Sequence, residues 1–331
     1  MPIVFVPEGE ELYHQRSQAR TVGFKPGFDF ILHDNYDLTH FADEEIHDAE
    51  GLLIYRSVVN RADIARFPNL KVLVRMGAGY DNVDRDALEE RGILLCNVPD
   101  YGPDRVAHSA FTAASMLVTG QVAYFARSTP LDWTKSELPV VRRATDLTAG
   151  IVGIGRIGSF AAKYFAACFK EVVYFDIDEN KSSAYARRVG SLEELLRVAD
   201  VVSLHVPATP ATHGMIGAAQ ISMMPQDAVL INTARGTVVD LDPLYDALKE
   251  GRFSGAAFDV LPGGDPPPDP QHKLVQAIVD NEPWIMGRAF ITPHSAGRSP
   301  GTDTELAIKG TATVIAALEG QPINVITRDM Y

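Results

Sequence analysis

The chain has 331 residues, 46% of them hydrophobic and 22% charged, which is typical of a globular protein large enough for two domains. Its net charge of −13 repels phosphate backbones and anionic lipids, so we expect neither a nucleic-acid partner nor a membrane surface. Two cysteines are too few for a disulfide framework or a zinc cluster, and we expect no metal site. The N-terminal segment turns acidic at Glu8 without a basic and apolar leader, which predicts a cytoplasmic protein.

Short apolar runs alternate with amphipathic pieces over the first hundred residues. The predicted strands are Pro2–Val6, Gly51–Tyr55, Lys71–Arg75 and Ile93–Cys96, and the predicted helices between them are Arg61–Phe67 and Arg85–Arg91. Alternation of strands with helices is typical of a parallel α/β sheet. This first segment therefore predicts one α/β domain.

A break follows at Asn97–Pro103, where two prolines and a glycine indicate a linker. The next segment, Val106–Ala126, lacks Asp, Glu, Lys and Arg and is long enough to span a bilayer. Because it contains His108, Thr112 and Gln121 among other polar residues, it is better interpreted as a buried helix.

A second series of strands begins near residue 150. The predicted strands are Gly150–Val152, Val172–Asp176, Val201–His205, Ala228–Asn232, Ala256–Val260 and Ala289–Thr292. Six strands are the complement of a dinucleotide-binding, doubly wound domain. The proline-rich segment Val260–Asn281 is predicted to be a loop, and Glu305–Glu319 is predicted to be a helix.

The segment Gly153–Gly158 matches the dinucleotide fingerprint G-x-G-x-x-G. Glycine-rich turns are common, but this one lies between an apolar strand and the apolar helix Phe160–Phe169. An acidic residue, Asp176, ends the second strand roughly 20 residues further on, where the fingerprint expects an acid.

Each position of the fingerprint has a physical role. Gly153 permits the tight turn, Gly155 lets the backbone approach a pyrophosphate, and Gly158 lets helix and strand pack closely. The helix N-terminus attracts the phosphates, and Asp176 would accept hydrogen bonds from ribose hydroxyls and repel a 2′-phosphate. We therefore predict NAD as the cofactor, bound also by Arg156 and Ile157 of the fingerprint.

Four segments resemble the signatures of the D-isomer-specific 2-hydroxyacid dehydrogenases and occur in the family's order. They are Val74–Asp84, Gly153–Gly158, Ile231–Asp240, and Gly255–Val260 with Ile291–His294. The branch most similar is the one related to the C-terminal binding proteins. The resemblance implies an NAD-dependent oxidoreductase that interconverts a small 2-oxo acid and its D-2-hydroxy acid, acting as a homodimer.

The resemblance also implies the architecture. We expect a Rossmann-type, doubly wound NAD-binding domain over residues 102–297. A smaller, flavodoxin-like α/β substrate domain would be discontinuous, formed by residues 1–101 and 298–331.

By resemblance, Arg235 is the substrate-binding arginine, because a guanidinium fork can hold both the carboxylate and the carbonyl oxygen of a 2-oxo acid. His294 is the general acid/base, which titrates near neutral pH and can supply the proton that ketone reduction needs. The remaining matched positions are Ala78 and Gly79 at the substrate carboxylate, Val206 and Pro207 at the adenosine, Thr233 and Ala234 beside the cofactor, and Asp259 near the nicotinamide carboxamide.

Two further arginines could contact the substrate. Arg56 ends an apolar strand of the predicted substrate domain, and Arg75 precedes the loop that holds Ala78 and Gly79. Either could bind a second anionic group, Arg56 being the stronger candidate. The alternative is pairing with some of the 43 acidic residues of the chain.

The chain departs from its family in the partner of the catalytic histidine. The family places a glutamate where this chain has Gly264, and the nearest acid is Asp265, one residue later and directly before Pro266. Aspartate is shorter than glutamate by one methylene, but the loop before it is longer by one residue, and the two changes could compensate for each other. Asp265 would then be a catalytic residue that favours the imidazolium of His294. Alternatively, Asp265 is a solvated acid of the loop, and His294 has no acidic partner at this position.

Two rival functions share the scaffold. C-terminal binding proteins are NAD(H)-responsive corepressors, but their branch has a tryptophan where this chain has Gly297, which disfavours a regulatory binding protein with weak activity. Formate dehydrogenases carry a glutamine in place of the acidic partner of the histidine, where this chain offers only Gly264 and Asp265. Phosphite dehydrogenases have a lysine where this chain has Ala78, so both functions are also disfavoured.

Overall fold

The computed structural model describes residues 1–9, 13, 24–127, 141–263 and 272–327. The chain divides into two compact units, residues 1–102 with 298–331, and residues 103–297. Within the described ranges, no helix is long and apolar enough to cross a membrane.

The first unit contains one parallel sheet. Its described strands are β1 (Ile3–Val6), β2 (Asp29–Leu32), β3 (Ala49–Ile54), β4 (Val72–Arg75) and β5 (Leu94–Asn97), and its first helices are α1 (Asp43–Ile46), α2 (Arg61–Ala65) and α3 (Arg85–Glu90). The strand order is β2-β1-β3-β4-β5, which is the flavodoxin-like order. Central β3 buries Leu52 and Leu53 completely on its two faces, as a strand covered on both sides must.

The second unit contains a larger parallel sheet. Its described strands are β6 (Thr148–Val152), β7 (Glu171–Phe175), β8 (Arg187–Arg188), β9 (Val201–Leu204), β10 (Ala228–Asn232), β11 (Phe253–Phe258) and β12 (Ala289–Ile291). Its helices are α4 (Pro103–Val118), α5 (Gln121–Arg127), α6 (Arg156–Ala166), α7 (Leu192–Val198), α8 (Ala218–Met223), α9 (Leu241–Lys249) and α10 (Lys273–Val279).

The order of this sheet, β12-β11-β10-β9-β6-β7-β8, is that of a Rossmann fold with an added edge strand. The strand order reverses between β6 and β9, and ligands of such sheets bind beyond the carboxyl ends of the strands at that point. The predicted fold class, a Rossmann-type sheet with a smaller flavodoxin-like unit, is confirmed.

The last helix, α11 (Pro300–Leu318), returns to the first unit and packs against β3, β4 and β5. It begins five residues before the predicted start at Glu305. Ser299 caps it, because its hydroxyl accepts a hydrogen bond from the backbone N–H of Thr302 (3.1 Å). The Thr302 hydroxyl in turn accepts a hydrogen bond from the backbone N–H of Ser299 (2.8 Å).

The prediction of a loop over Val260–Asn281 is wrong for Lys273–Val279, because these residues form helix α10. The prolines that indicated a loop all precede His272, whose Nδ1 accepts the backbone N–H of Leu274 (3.1 Å) and so caps the helix. Leu274 and Ala277 are fully buried, so a short apolar face holds the helix on its unit.

The uncharged segment Val106–Ala126 is helical as predicted, but it forms two helices rather than one. Gly120, with φ +68, takes the left-handed conformation that separates α4 from α5. The edge strands β2 and β8 were not predicted, because short strands paired on one side carry little apolar pattern.

Candidate active site

The predicted cofactor residues of the second unit, together with Arg235 and His294, follow one row of strand ends. The strand register joins the last residues of six neighbouring strands into this row: Phe175, Val152, Leu204, Asn232, Phe258 and Ile291. Strands are about 4.8 Å apart, so five spacings give a row about 24 Å long. This length suits an extended ligand such as a dinucleotide.

The fingerprint turn lies after β6 and has the geometry that its glycines predict. Gly153 has φ +89, and a side chain on Gly158 would meet the Gly153 carbonyl oxygen at 1.9 Å, so helix and strand pack too closely for any other residue. Nothing lies within 4 Å of a Cβ built on Gly155, the residue that caps α6. This cradle at a helix N-terminus fits a pyrophosphate.

Asp176 follows β7 and is 8% exposed. Its Oδ2 accepts the backbone N–H of Ile154 in the fingerprint turn (2.8 Å), and its Oδ1 accepts the backbone N–H of Asp178 (2.9 Å). The carboxylate therefore has a fixed orientation beside the glycine turn, and its remaining acceptor capacity is available to a ligand.

Asn232 ends β10 and holds the turn that carries Thr233, Ala234 and Arg235. It is fully buried, its Oδ1 accepts the backbone N–H of Ala234 (3.0 Å), and its Nδ2 donates to the Arg235 carbonyl oxygen (2.8 Å). The Arg235 guanidinium donates from Nη1 to the Ala234 carbonyl oxygen (2.8 Å). The sequence predicts Asn232 as the end of a strand within a motif but gives it no role; its position one residue before the turn was the available signal.

Asp259 follows β11 and is 5% exposed. Its Oδ1 accepts the hydroxyl of Thr292 (2.5 Å) and the backbone N–H of Ser295 (2.9 Å), and its Oδ2 accepts the backbone N–H of Ala296 (3.0 Å). The Asp259 carbonyl oxygen also accepts the backbone N–H of His294 (2.9 Å). Asp259 thus holds the turn around His294. The sequence predicted only a contact of Asp259 with nicotinamide and not this structural role.

Two polar atoms near the switch point have no hydrogen-bond partner among the described residues. They are Thr233 Oγ1, after β10, and Nδ1 of His205, after β9 and just before Val206 and Pro207. A buried polar atom is costly unless a ligand or water satisfies it. Burial lowers the pKa of His205 to about 4, and its Nε2 lies 2.9 Å from Ser203 Oγ, so this imidazole stays neutral near pH 7. The cradle, Asp176 and these orphaned atoms together fit an NAD cofactor.

In the first unit, the loop with Ala78 and Gly79 follows β4. Asn97 Nδ2 donates to the Ala78 carbonyl oxygen (2.7 Å), and Gly77 has φ +139 with the Arg75 guanidinium packed against it. These contacts fix the backbone that was predicted to receive the substrate carboxylate.

Arg56 follows β3, and a buried acid that sequence analysis missed holds its backbone. Glu8, 3% exposed, accepts the backbone N–H groups of Tyr55, Arg56 (2.7 Å) and Ser57 (2.6 Å). Burial raises the pKa of Glu8, although these hydrogen bonds act in the opposite direction. The guanidinium carbons of Arg56 and Arg75 lie 5.4 and 6.0 Å from the Tyr55 ring centre.

The remaining predicted residue, Asp265, lies outside the described residues, as does Gly264.

Comparison with known proteins assigns the family. Residues 113–296 match the D-isomer-specific 2-hydroxyacid dehydrogenase, NAD-binding domain. The chain is 33% identical over 300 residues to a glycerate dehydrogenase of Methylorubrum extorquens, covering 88% of this chain and 90% of that one. It is 31% identical over 301 residues to a D-lactate dehydrogenase of Treponema pallidum, with the same coverage. The D-lactate dehydrogenase of Aquifex aeolicus complexed with NAD and lactic acid superposes with a TM-score of 0.80 at 28% identity, covering 96% of both chains.

The chain belongs to the D-isomer-specific 2-hydroxyacid dehydrogenases. It is an NAD-dependent oxidoreductase that interconverts a small 2-oxo acid and its D-2-hydroxy acid, as the sequence predicts. The comparisons support this activity rather than the alternative of a regulatory binding protein.

The backbone of His294 generates a prediction about stability. His294 has φ +48, a left-handed conformation that costs an L-residue about 1–2 kcal/mol and glycine almost nothing. The free energy of unfolding of His294→Gly should therefore exceed that of His294→Ala by about 1 kcal/mol. Urea denaturation of the two variants measures the difference. Equal stability, or a less stable glycine variant, would contradict the left-handed turn.

Proposed function

We propose that Arg235 and His294 carry the reaction in this chain, with Arg235 binding the 2-oxo acid and His294 exchanging the proton at the carbonyl oxygen. The observation that supports this assignment most is the row of strand ends, because Arg235 and His294 follow two of the strands in the row that also contains the glycine turn. The cofactor, when bound, supplies or accepts the hydride. The predicted cofactor contacts from Gly153 to Asp259 are part of the same proposal.

The division of labour follows from the chemistry of the two side chains. A planar guanidinium can hold the carboxylate and carbonyl oxygens of one 2-oxo acid and polarise the carbonyl. An imidazolium can donate a proton to the oxygen as the carbonyl carbon is reduced, and the neutral ring can remove it in the reverse direction. The backbone N–H groups of the loop at Ala78 and Gly79 would receive the substrate carboxylate. The first unit would thus be the substrate domain and the second the cofactor domain.

The names of the relatives define the substrates to test. Glycerate, lactate and glyoxylate appear in the names of similar dehydrogenases and reductases. We propose a small acid of this size, and a panel of glyoxylate, pyruvate, hydroxypyruvate and oxaloacetate with NADH would identify it.

If Arg56 binds a second anionic group, Arg56→Gln should slow reduction of oxaloacetate far more than that of pyruvate. An equal effect on both acids would assign Arg56 to structure.

The role of Arg235 is tested by a change that keeps its charge. Arg235→Lys removes the planar fork, so it should raise the KM for the oxo acid at least tenfold and lower kcat, while the Kd for NADH stays within about twofold. The matched control is Arg197→Lys on the exposed surface of α7. Loss of NADH binding with unchanged oxo-acid kinetics would reject this assignment.

We also propose that Asp265 replaces the family's glutamate as partner of His294. A carboxylate beside the ring stabilises the imidazolium and raises its pKa, so reduction should continue to higher pH than with an unpaired histidine. Asp265→Asn should therefore move the high-pH limb of the reductive kcat profile to lower pH. The loss of rate should be smaller than the ~10²–10⁴-fold expected for removing the acid/base in His294→Ala. A profile that overlays the wild type with unchanged kcat would mean that His294 works alone.

Assembly, location and branch are further parts of the proposal. We propose a cytoplasmic homodimer of the branch related to the C-terminal binding proteins. Exposed aromatic side chains support self-association: Phe125 on α5 is 81% exposed and Phe160 on α6 is 38% exposed, and both helices pack against α4.

The proposed homodimer is tested by light scattering. Phe125→Glu should shift the chain from dimer to monomer at micromolar concentration, because it places a charge in an apolar contact. The control is Tyr185→Glu, at an exposed tyrosine two residues before β8. A wild-type chain that is monomeric would reject the homodimer.

A further inference from the structure

The ribose end of the cofactor site contains a cation that the fingerprint does not include. The ammonium of Lys181 lies 3.8 Å from Asp176 Oδ2, and the Lys181 side chain is 43% exposed. Asp176 itself is fixed by the backbone N–H groups of Ile154 and Asp178, so the carboxylate cannot turn away from the lysine. The acid expected to exclude a 2′-phosphate is therefore partly neutralised.

The backbone that carries Lys181 is held in place by Arg188. The Arg188 guanidinium donates to the carbonyl oxygens of Asp176 (2.6 Å), Asp178 (3.2 Å) and Lys181 (3.1 Å). Its carbon lies 5.6 Å from the ring centre of Tyr174, whose hydroxyl also donates to the Lys181 carbonyl oxygen (3.0 Å). These bonds fix the turn from Asp176 to Lys181, so the backbone of Lys181 is anchored while its side chain is partly exposed.

We infer that Lys181 is a specificity residue of the cofactor site, which neutralises Asp176 in the complex with NAD and binds the 2′-phosphate of NADP. This inference rests on the proposed role of Asp176 at the ribose. A lysine ammonium on a flexible stem can move from a carboxylate to a neighbouring phosphate. NADP(H) is then a second, weaker cofactor rather than an excluded one.

The surrounding charges keep NAD(H) the preferred cofactor. Asp178 adds a second carboxylate to the same turn, and its Oδ1 accepts the backbone N–H of Asn180 (3.0 Å) rather than a cation. A 2′-phosphate would thus meet two acids and one mobile ammonium, since Arg188 is engaged with three carbonyl groups. The net repulsion is reduced by Lys181 but not reversed.

The test measures binding of both cofactors to the whole chain. The Kd values for NADH and NADPH are obtained from nicotinamide fluorescence, without a 2-oxo acid. Lys181→Met should raise the Kd for NADPH about tenfold and change the Kd for NADH less than about twofold, and Lys181→Arg should retain NADPH binding. Lys170→Met, at another exposed lysine of the same unit, is the control and should change neither value.

Two results would overturn the inference. One is an unchanged Kd for NADPH in Lys181→Met, and the other is an equal loss for both cofactors, which would mean a structural role. Asp176→Asn separates this failure from failure of the proposed ribose site. It should weaken NADH and relieve the repulsion of NADPH; if it changes neither Kd, Asp176 is not the ribose acceptor, whatever Lys181 does.

Discussion

The structure of this enzyme depends on one constraint, the parallel register of the sheet in the second unit. Because all its described strands run in one direction, they end at one edge, and six of the seven ends are followed by turns of the candidate site. The register joins Val152 to Leu204 and Leu204 to Asn232, so the fingerprint turn, the switch point and the Arg235 turn are neighbours. Residues more than a hundred positions apart in sequence thereby come to one edge.

Register alone places the turns, but buried polar side chains at the strand ends give them their shapes. Asp176, Asn232 and Asp259 each end or follow a strand, are at most 8% exposed, and bond to backbone groups of a functional turn. A buried carboxylate or amide is tolerated when its hydrogen bonds are made. The sequence motifs therefore contain both the residues that we propose to contact ligands and the residues that hold them, and a motif match does not separate the two.

The limits of sequence analysis follow from the same distinction. The glycines of the fingerprint could be predicted because each has a steric reason visible in the pattern, and the strands could be predicted because burial on both faces makes them apolar. Glu8 could not be predicted, since most of its hydrogen-bond donors are backbone N–H groups of residues 55–57, which carry no side-chain signal. Helix α10 was missed because prolines nearby outweighed the short apolar face of Leu274 and Ala277.

Several groups at the strand ends of the site are strained or unsatisfied. His294 has a left-handed backbone, and Thr233 Oγ1 and His205 Nδ1 have no partner among the described residues, whereas the holding residues Asn232 and Asp259 are fully bonded. Strain and unpaired polar atoms cost stability, and they persist only where surrounding bonds enforce them. Here the bonds of Asp259 enforce the His294 turn, and a bound cofactor would satisfy the orphaned atoms. Part of the favourable free energy of cofactor binding can thus come from satisfying polar atoms that are left unpaired at the strand ends when the protein folds.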